Sequence, residues 1–204
     1  MARPREFDED AVLDAAMNCF WERGFEATSV RELAAEMGIA SPSLYNAFGD
    51  KRALFRRVLE HYSHFARARI ARLESTLPPK EAVRAFITKI IEHSLDDQDR
   101  RGCLLVNSAL EIAPHDAVIG SDIADRIGEI EAFFQRSIAA AQTDGTIPPE
   151  RGADDLARLM LGVLLGIRVL ARSKPDRALL EGVARPALAL LEWPDPTTLN
   201  PRST

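Results

Sequence analysis

The sequence predicts an all-α fold, and three observations carry that prediction. Apolar residues recur at helical spacing along nearly the whole chain of 204 residues, no alternating strand pattern of useful length appears, and the interruptions fall at proline and glycine. Nine helices are expected, near residues 8–24, 29–37, 41–47, 51–75, 79–97, 102–112, 115–143, 149–173 and 176–192. The later breaks are set by Pro78-Pro79, Gly102, Pro114, Asp144-Gly145 with Pro148-Pro149, and Lys174-Pro175. The first three helices make a head over residues 1–50 and the others a larger bundle over 51–193. The end, 194–204, carries three prolines and almost no apolar residue, which predicts a flexible tail.

The second and third helices are the most informative. Ser29 and Glu32 form a capping box, in which each side chain satisfies the other residue's amide and so fixes where the second helix begins. Val30, Leu33, Ala34 and Met37 then make one buried face, with Ala34 small enough for a close neighbour. Gly38 stops the helix at the position that favours positive φ, and Ile39 plugs the angle that follows. Ser41 is expected to cap the third helix, with Pro42 preorganised for its first turn. Leu44 and Phe48, at i and i+4, face inward. Ser41, Ser43, Tyr45 and Asn46 are left on the outer surface beside Pro42, so the pair reads as a helix-turn-helix whose second helix enters a major groove of DNA.

These residues and their flanks resemble the TetR/AcrR family of one-component regulators, over roughly Phe7 to Tyr62. Carrying the resemblance are Ala15-Ala16, Phe20, Gly24-Phe25, Thr28-Ser29-Val30, Leu33-Ala34, Gly38-Ile39, Leu44-Tyr45, Phe48, Lys51 and Leu54-Phe55. One departure is Ala47, where many members have a histidine. The resemblance implies a nine-helix regulator whose residues 1–50 bind DNA and whose residues 51–193 bind a ligand and dimerise. It further implies a homodimer on a palindromic double-stranded operator, an unidentified small-molecule effector, and repression as the mode of regulation. The alternative from another class is a helical ligand-binding or protein-interaction module without DNA binding.

The fourth helix carries the charge. Although the chain has a net charge of -5, residues 41–72 hold seven cations against Asp50 and Glu60. Lys51, at the helix N-terminus, is the foremost phosphate contact expected. Ser29 and Arg31, at the start of the second helix, complete the expected DNA-binding set with Ser41, Pro42, Ser43, Tyr45, Asn46 and Lys51. Arg67, Arg69 and Arg72 are read as a solvated face away from DNA.

In the sixth helix Leu104, Asn107, Ser108 and Glu111 share a face, which presents polar groups inward. Either a ligand or a core network must satisfy them. With Phe86, Ile90 and His93 before it and Phe133 and Phe134 after it, this face is a candidate ligand pocket; as core residues they would look the same. Cys103 follows Arg101-Gly102 at a helix start, where dipole and cation favour a thiolate. It is read as a pocket residue that is either a sensing thiol, as in some members with a similar Gly-Cys segment, or ordinary packing. Arg168 is a second candidate cation for that thiolate.

The last two helices carry Leu156, Leu159, Met160, Val163, Leu164, Ile167, Leu180 and Val183, more apolar surface than one protomer is expected to cover. In the family this pair forms a four-helix dimer interface, and Gly162 and Gly166 suggest close approach of another helix. Pro186 is expected to kink or split the ninth helix.

No enzyme signature is found: no phosphate loop, no Gly-x-Ser-x-Gly and no His-Glu-x-x-His. His61 and His64 lack further ligands at metal spacing, so neither metal nor cofactor is expected. The polar N-terminus and the short apolar run from Leu159 to Ile167 predict a cytoplasmic protein without a membrane segment. Cys19 and Cys103 are read as reduced thiols, Cys19 as a structural one.

Overall fold

The structure is a computed structural model that describes residues 8–192, so the expected tail over 194–204 lies outside the described residues. Nine α-helices and no strand occur among them: α1 Glu9–Arg23, α2 Val30–Glu36, α3 Ser41–Phe48, α4 Lys51–Thr76, α5 Pro79–Asp96, α6 Leu104–Glu111, α7 Ala117–Thr143, α8 Ala153–Ser173 and α9 Arg177–Ala189. They form two compact units. The first comprises the chain up to Arg67 together with Leu104–Arg126; the second comprises Ala68–Cys103 together with the chain from Ile127 onward. The expected boundary between residues 50 and 51 therefore falls inside the first unit, which also takes in α6 and the first turns of α7.

In the first unit, Leu13, Ala16 and Phe20 of α1, Leu33 and Ala34 of α2, Leu44 and Phe48 of α3, and Leu54, Phe55 and Val58 of α4 are buried. The Phe55 ring lies 4.9 Å from both Phe20 and Phe25, edge-on to the first, as aromatic quadrupoles prefer. Cys19 is buried in the same unit, and burial pushes its pKa up.

The second unit is built on α5, α8 and α9 with the later parts of α4 and α7. Its core joins Phe86, Ile87 and Ile90 to Phe133, Phe134 and Ile138, and these to Met160, Leu164, Ile167, Leu180 and Ala184. This corrects part of the expected dimer surface. Leu156, Met160, Leu164, Ile167 and Leu180 are buried within their own protomer, because α8 is apolar on more than one face and the bulkier stripe is taken by the core. Leu159, at 39% exposed, faces outward, and Val163 and Val183 are half-buried. Pro186 neither splits nor ends α9, which continues through it to Ala189. The carbonyl of Gly182 loses its helical donor there; Gly182 and Pro186 are both exposed, so water can replace it.

Candidate nucleic-acid interface

The helix-turn-helix is set by backbone geometry at both ends of its turn. At the start of α2 the capping box is complete: Glu32 N donates to Ser29 Oγ at 3.2 Å, and Ser29 N donates to Glu32 Oε2 at 2.8 Å. The Ser29 contacts hold the Glu32 carboxyl below its ordinary pKa. At the end of α2, Ile39 N donates to Ala34 O and Gly38 N to Ala35 O, at 3.0 and 3.1 Å, with Gly38 at φ +65°. This pair of bonds is a Schellman closure, which satisfies the last carbonyls and turns the chain sharply.

The start of α3 differs from expectation. Ser41 is not the cap. Ala40 takes the extended cap conformation, its carbonyl accepts from Ser43 N and Leu44 N, and no side chain caps the helix. Ser41 and Pro42 are the first two helical residues, where proline's missing N–H costs nothing. With Leu44 and Phe48 buried, α3 leaves Pro42, Ser43, Tyr45 and Asn46 exposed and Ser41 half-buried. Ser29 and Arg31 are exposed on α2, and Tyr45 is half exposed, at 50%. A short polar helix face with one projecting phenol offers hydrogen-bonding groups of the kinds that meet base edges and phosphates.

Lys51 is half-buried, and its ammonium is already engaged. Nζ donates to Phe25 O at 2.8 Å and Thr28 O at 3.0 Å, and stands 4.3 Å above the Phe25 ring. Two of its three N–H bonds thus hold the α1–α2 loop, which leaves one. In the same loop Thr28 Oγ1 donates to Gly24 O at 2.6 Å, while Phe25 N and Glu26 N donate to the Glu111 carboxylate at 3.2 and 3.0 Å.

The charge count of the fourth helix overstates what is available to DNA. Arg52 donates through two nitrogens to Asp116, Arg56 pairs with Asp122, Arg57 with Glu9, and Arg67 with Glu60, whose other oxygen takes Arg126 at 2.9 Å. The Arg52 guanidinium, with the amides of Ile119 and Val118, pulls the Asp116 pKa down to about 2. Arg23, at the end of α1, reaches Glu32 and Glu36 of α2 at 3.4 and 3.2 Å and so offsets these two acids. Residue spacing gives no sign of Asp116 and Asp122 as partners of Arg52 and Arg56, or of Arg126 as a partner of Glu60, since each pair lies more than sixty positions apart.

The expected pocket residues are divided between the two units. Leu104, Asn107, Ser108 and Glu111 belong to the first; Phe86, Ile90, His93, Cys103, Phe133 and Phe134 to the second. Leu104 and Ser108 are buried, and the Ser108 hydroxyl donates to Leu104 O at 2.7 Å, so its own helix satisfies it. Asn107 is half-buried. Glu111 is committed to the α1–α2 loop, which corrects its assignment to a pocket wall. The buried rings of Phe86, Phe133 and Phe134 pack on one another with centroids 5.2 to 5.6 Å apart. Ile90 is buried beside them, His93 is exposed and Cys103 half-buried. Arg168 donates to Ser94 Oγ at 3.2 Å. A surface groove of about 290 Å³ between α5 and α9, lined by Arg84, Thr88, Glu92, Arg177 and Arg185 among others, includes none of the expected residues.

His61 Nε2 lies 2.7 Å from Asp14 Oδ1, which ties α4 to α1. Among the described residues no group of three or more His, Cys, Asp or Glu is placed to hold a metal, and no helix is long and apolar enough to cross a membrane.

Comparison with known proteins bears on this geometry. Residues 12–58 match the family model for bacterial regulatory proteins of the tetR family, and residues 79–186 match that for the tetracyclin repressor-like C-terminal domain. The HTH-type transcriptional repressor ComR of Escherichia coli K12 is 32% identical over 195 residues, covering 95% of this chain and 92% of ComR. A cysteine mutant of the TetR family transcriptional regulator CifR, complexed with 26 bp double-strand operator DNA, has a TM-score of 0.82 at 34% identity. That match covers 94% of this chain and 100% of the CifR chain. The reduced form of E. coli NemR, at 16% identity, shares the fold with a TM-score of 0.83 over 91% of this chain and 97% of its own.

Proposed function

The chain belongs to the TetR family of DNA-binding transcriptional regulators, and we propose that it acts in the cytoplasm as a homodimeric repressor, released from a palindromic operator by a small-molecule effector. It catalyses no reaction in this reading. The carrying observation is the outer face of α3: Pro42, Ser43, Tyr45 and Asn46 are exposed on a helix fixed from behind by Leu44 and Phe48. Ser41, Ser29 and Arg31 flank that face, and Lys51 stands at the start of α4 with one N–H to spare. The operator complex of the CifR mutant, which this chain resembles over nearly its full length, supports the same use of the head.

Dimerisation is assigned to the outward faces of α8 and α9. Leu159, Gly162 and Val169 are exposed on α8 and Gly182 on α9, and a Cβ built on Gly162, Gly166 or Gly182 meets nothing within 4 Å. Glycine in a helix costs about 1 kcal/mol relative to alanine. No neighbour in the protomer requires these glycines, and a second copy packed backbone to backbone would.

Two heads reach successive major grooves only at a separation of roughly 34 to 36 Å. Because α4 is one helix from Lys51 to Thr76, a movement imposed on its far end reaches the head. An effector releases the operator only if it binds the non-DNA state more tightly. A mobility-shift titration with the DNA upstream of the protein's own gene tests the reading. A discrete complex at nanomolar protein that resists competitor DNA is expected, and binding no tighter than to random duplex would reject it.

A further inference from the structure

We infer that Glu111, at the last turn of α6, is a positioning residue for DNA binding: its carboxylate fixes the loop from which the helix-turn-helix starts. The inference rests on the reading that this unit binds DNA. It adds a determinant of affinity that lies outside the helix-turn-helix, more than eighty residues along the chain from the loop it holds.

Two successive amides converge on one carboxylate: Phe25 N donates to Oε2 at 3.2 Å and Glu26 N to Oε1 at 3.0 Å. Consecutive N–H groups pointing to one side make a small anion-binding concavity, and here a side chain of the same unit fills it. Gly24 is fitted to that carboxylate. It has φ +86°, and a Cβ on it would lie 2.9 Å from Oε1 and 3.0 Å from Oε2. The backbone conformation disfavours a side chain at this position, and a Cβ there would displace the acid.

The other half of the loop is held from the opposite polarity. Lys51 takes the carbonyls of Phe25 and Thr28, and Thr28 Oγ1 takes that of Gly24. Between the end of α1 at Arg23 and the cap of α2 at Ser29, the loop has little helical ladder to define it. Two of its amides answer to α6 and two of its carbonyls to α4. Since Ser29 opens α2, and α2 sets α3 through the tight turn at Gly38, the carboxylate of Glu111 determines where the exposed face of α3 is presented. A displacement of the end of α6 by about 1 Å would carry both bonds beyond hydrogen-bonding range. The acid repels phosphate, so its contribution to DNA binding is orientation and not contact.

The test compares the parent, Glu111→Ala and Glu111→Gln in the full-length protein on a fragment that the parent binds. A parent that binds no DNA would instead refute the proposed function. Glu111→Ala should weaken operator binding about tenfold with the salt slope unchanged, because no phosphate contact is lost. Hydrogen exchange should accelerate at the amides of Phe25 and Glu26 while the amides of α8 keep their protection. Glu111→Gln retains one acceptor oxygen and should fall between the two in both affinity and exchange. If the alanine variant fails to fold, the glutamine variant is read by the same quantities against the parent. Parent-like affinity in both variants, a slope lowered by about one unit, or unchanged exchange at Phe25 and Glu26 would overturn the inference.

Discussion

Leu164→Glu is expected to destabilise the protomer strongly, whereas Gly162→Glu, two residues away on α8, is expected to leave its stability unchanged and separate the dimer. Leu164 is only 3% exposed and belongs to the cluster that contains Met160, Ile167 and Leu180. A carboxylate there enters an apolar cluster and must be desolvated or protonated, at a cost of several kcal/mol that Arg168, one turn along α8 and already donating to Ser94 Oγ, offsets only in part. Total stabilities are about 5–15 kcal/mol, so a loss of about 4 kcal/mol removes a large share, and for a chain of this size lowers Tm by roughly 8–16 °C. Gly162 is exposed, and a Cβ on it meets nothing within 4 Å, so the protomer accommodates the new side chain. If α8 packs against its symmetry mate, the charge is forced into that contact twice, once from each copy. Thermal melting and sedimentation velocity separate the outcomes: a low Tm for Leu164→Glu, and a parent-like Tm with a monomer boundary for Gly162→Glu. An intact dimer of the glycine variant would place the interface elsewhere.

Lys51→Ala is expected to weaken binding to every DNA sequence by about two orders of magnitude, through two separable losses. The first is one phosphate contact, which lowers the magnitude of the salt slope by about 0.9. The second is the clamp on the loop: the carbonyls of Phe25 and Thr28 lose a charged donor, and Thr28 is almost fully buried. An acceptor left unpaired there costs about 1–3 kcal/mol. The variant should therefore melt earlier than the parent as well as bind less. Tyr45→Phe is the reference, since its side chain is half exposed and should affect binding without affecting Tm. A Lys51→Ala protein with an unchanged slope would make the lysine a loop clamp alone.

What could be read from the sequence was local in the chain. The capping box of Ser29 and Glu32 spans three residues, Gly38 closes the helix it follows, and Leu44 and Phe48 share a face at one turn's spacing; each is decided by neighbours within a few positions. Ser41 shows the limit of that reading. Serine caps well, but Ala40 has the extended backbone and the accepting carbonyl, so the helix starts one residue earlier than the propensity suggests. The long-range pairs left no mark in the spacing. Arg52 and Asp116, or Arg56 and Asp122, are ordinary charged residues until folding brings them together, and the same holds for Glu111 and the amides of Phe25 and Glu26. The α8 surface failed for a different reason. Leucines turned inward at 156 and 164 and the one turned outward at 159 are chemically alike, so composition could mark α8 as apolar on more than one face without separating core from interface.

A dimer of this chain is expected to place two copies of the α3 surface in successive major grooves of an operator. Hydroxyl-radical footprinting of the upstream fragment bound by the parent protein tests it most directly. Two protected half-sites related by a two-fold axis are expected, centred roughly 34 to 36 Å apart or a multiple of that distance, and lost together in Gly162→Glu. A single protected half-site, or a two-fold footprint that persists when the protein is monomeric, would contradict it.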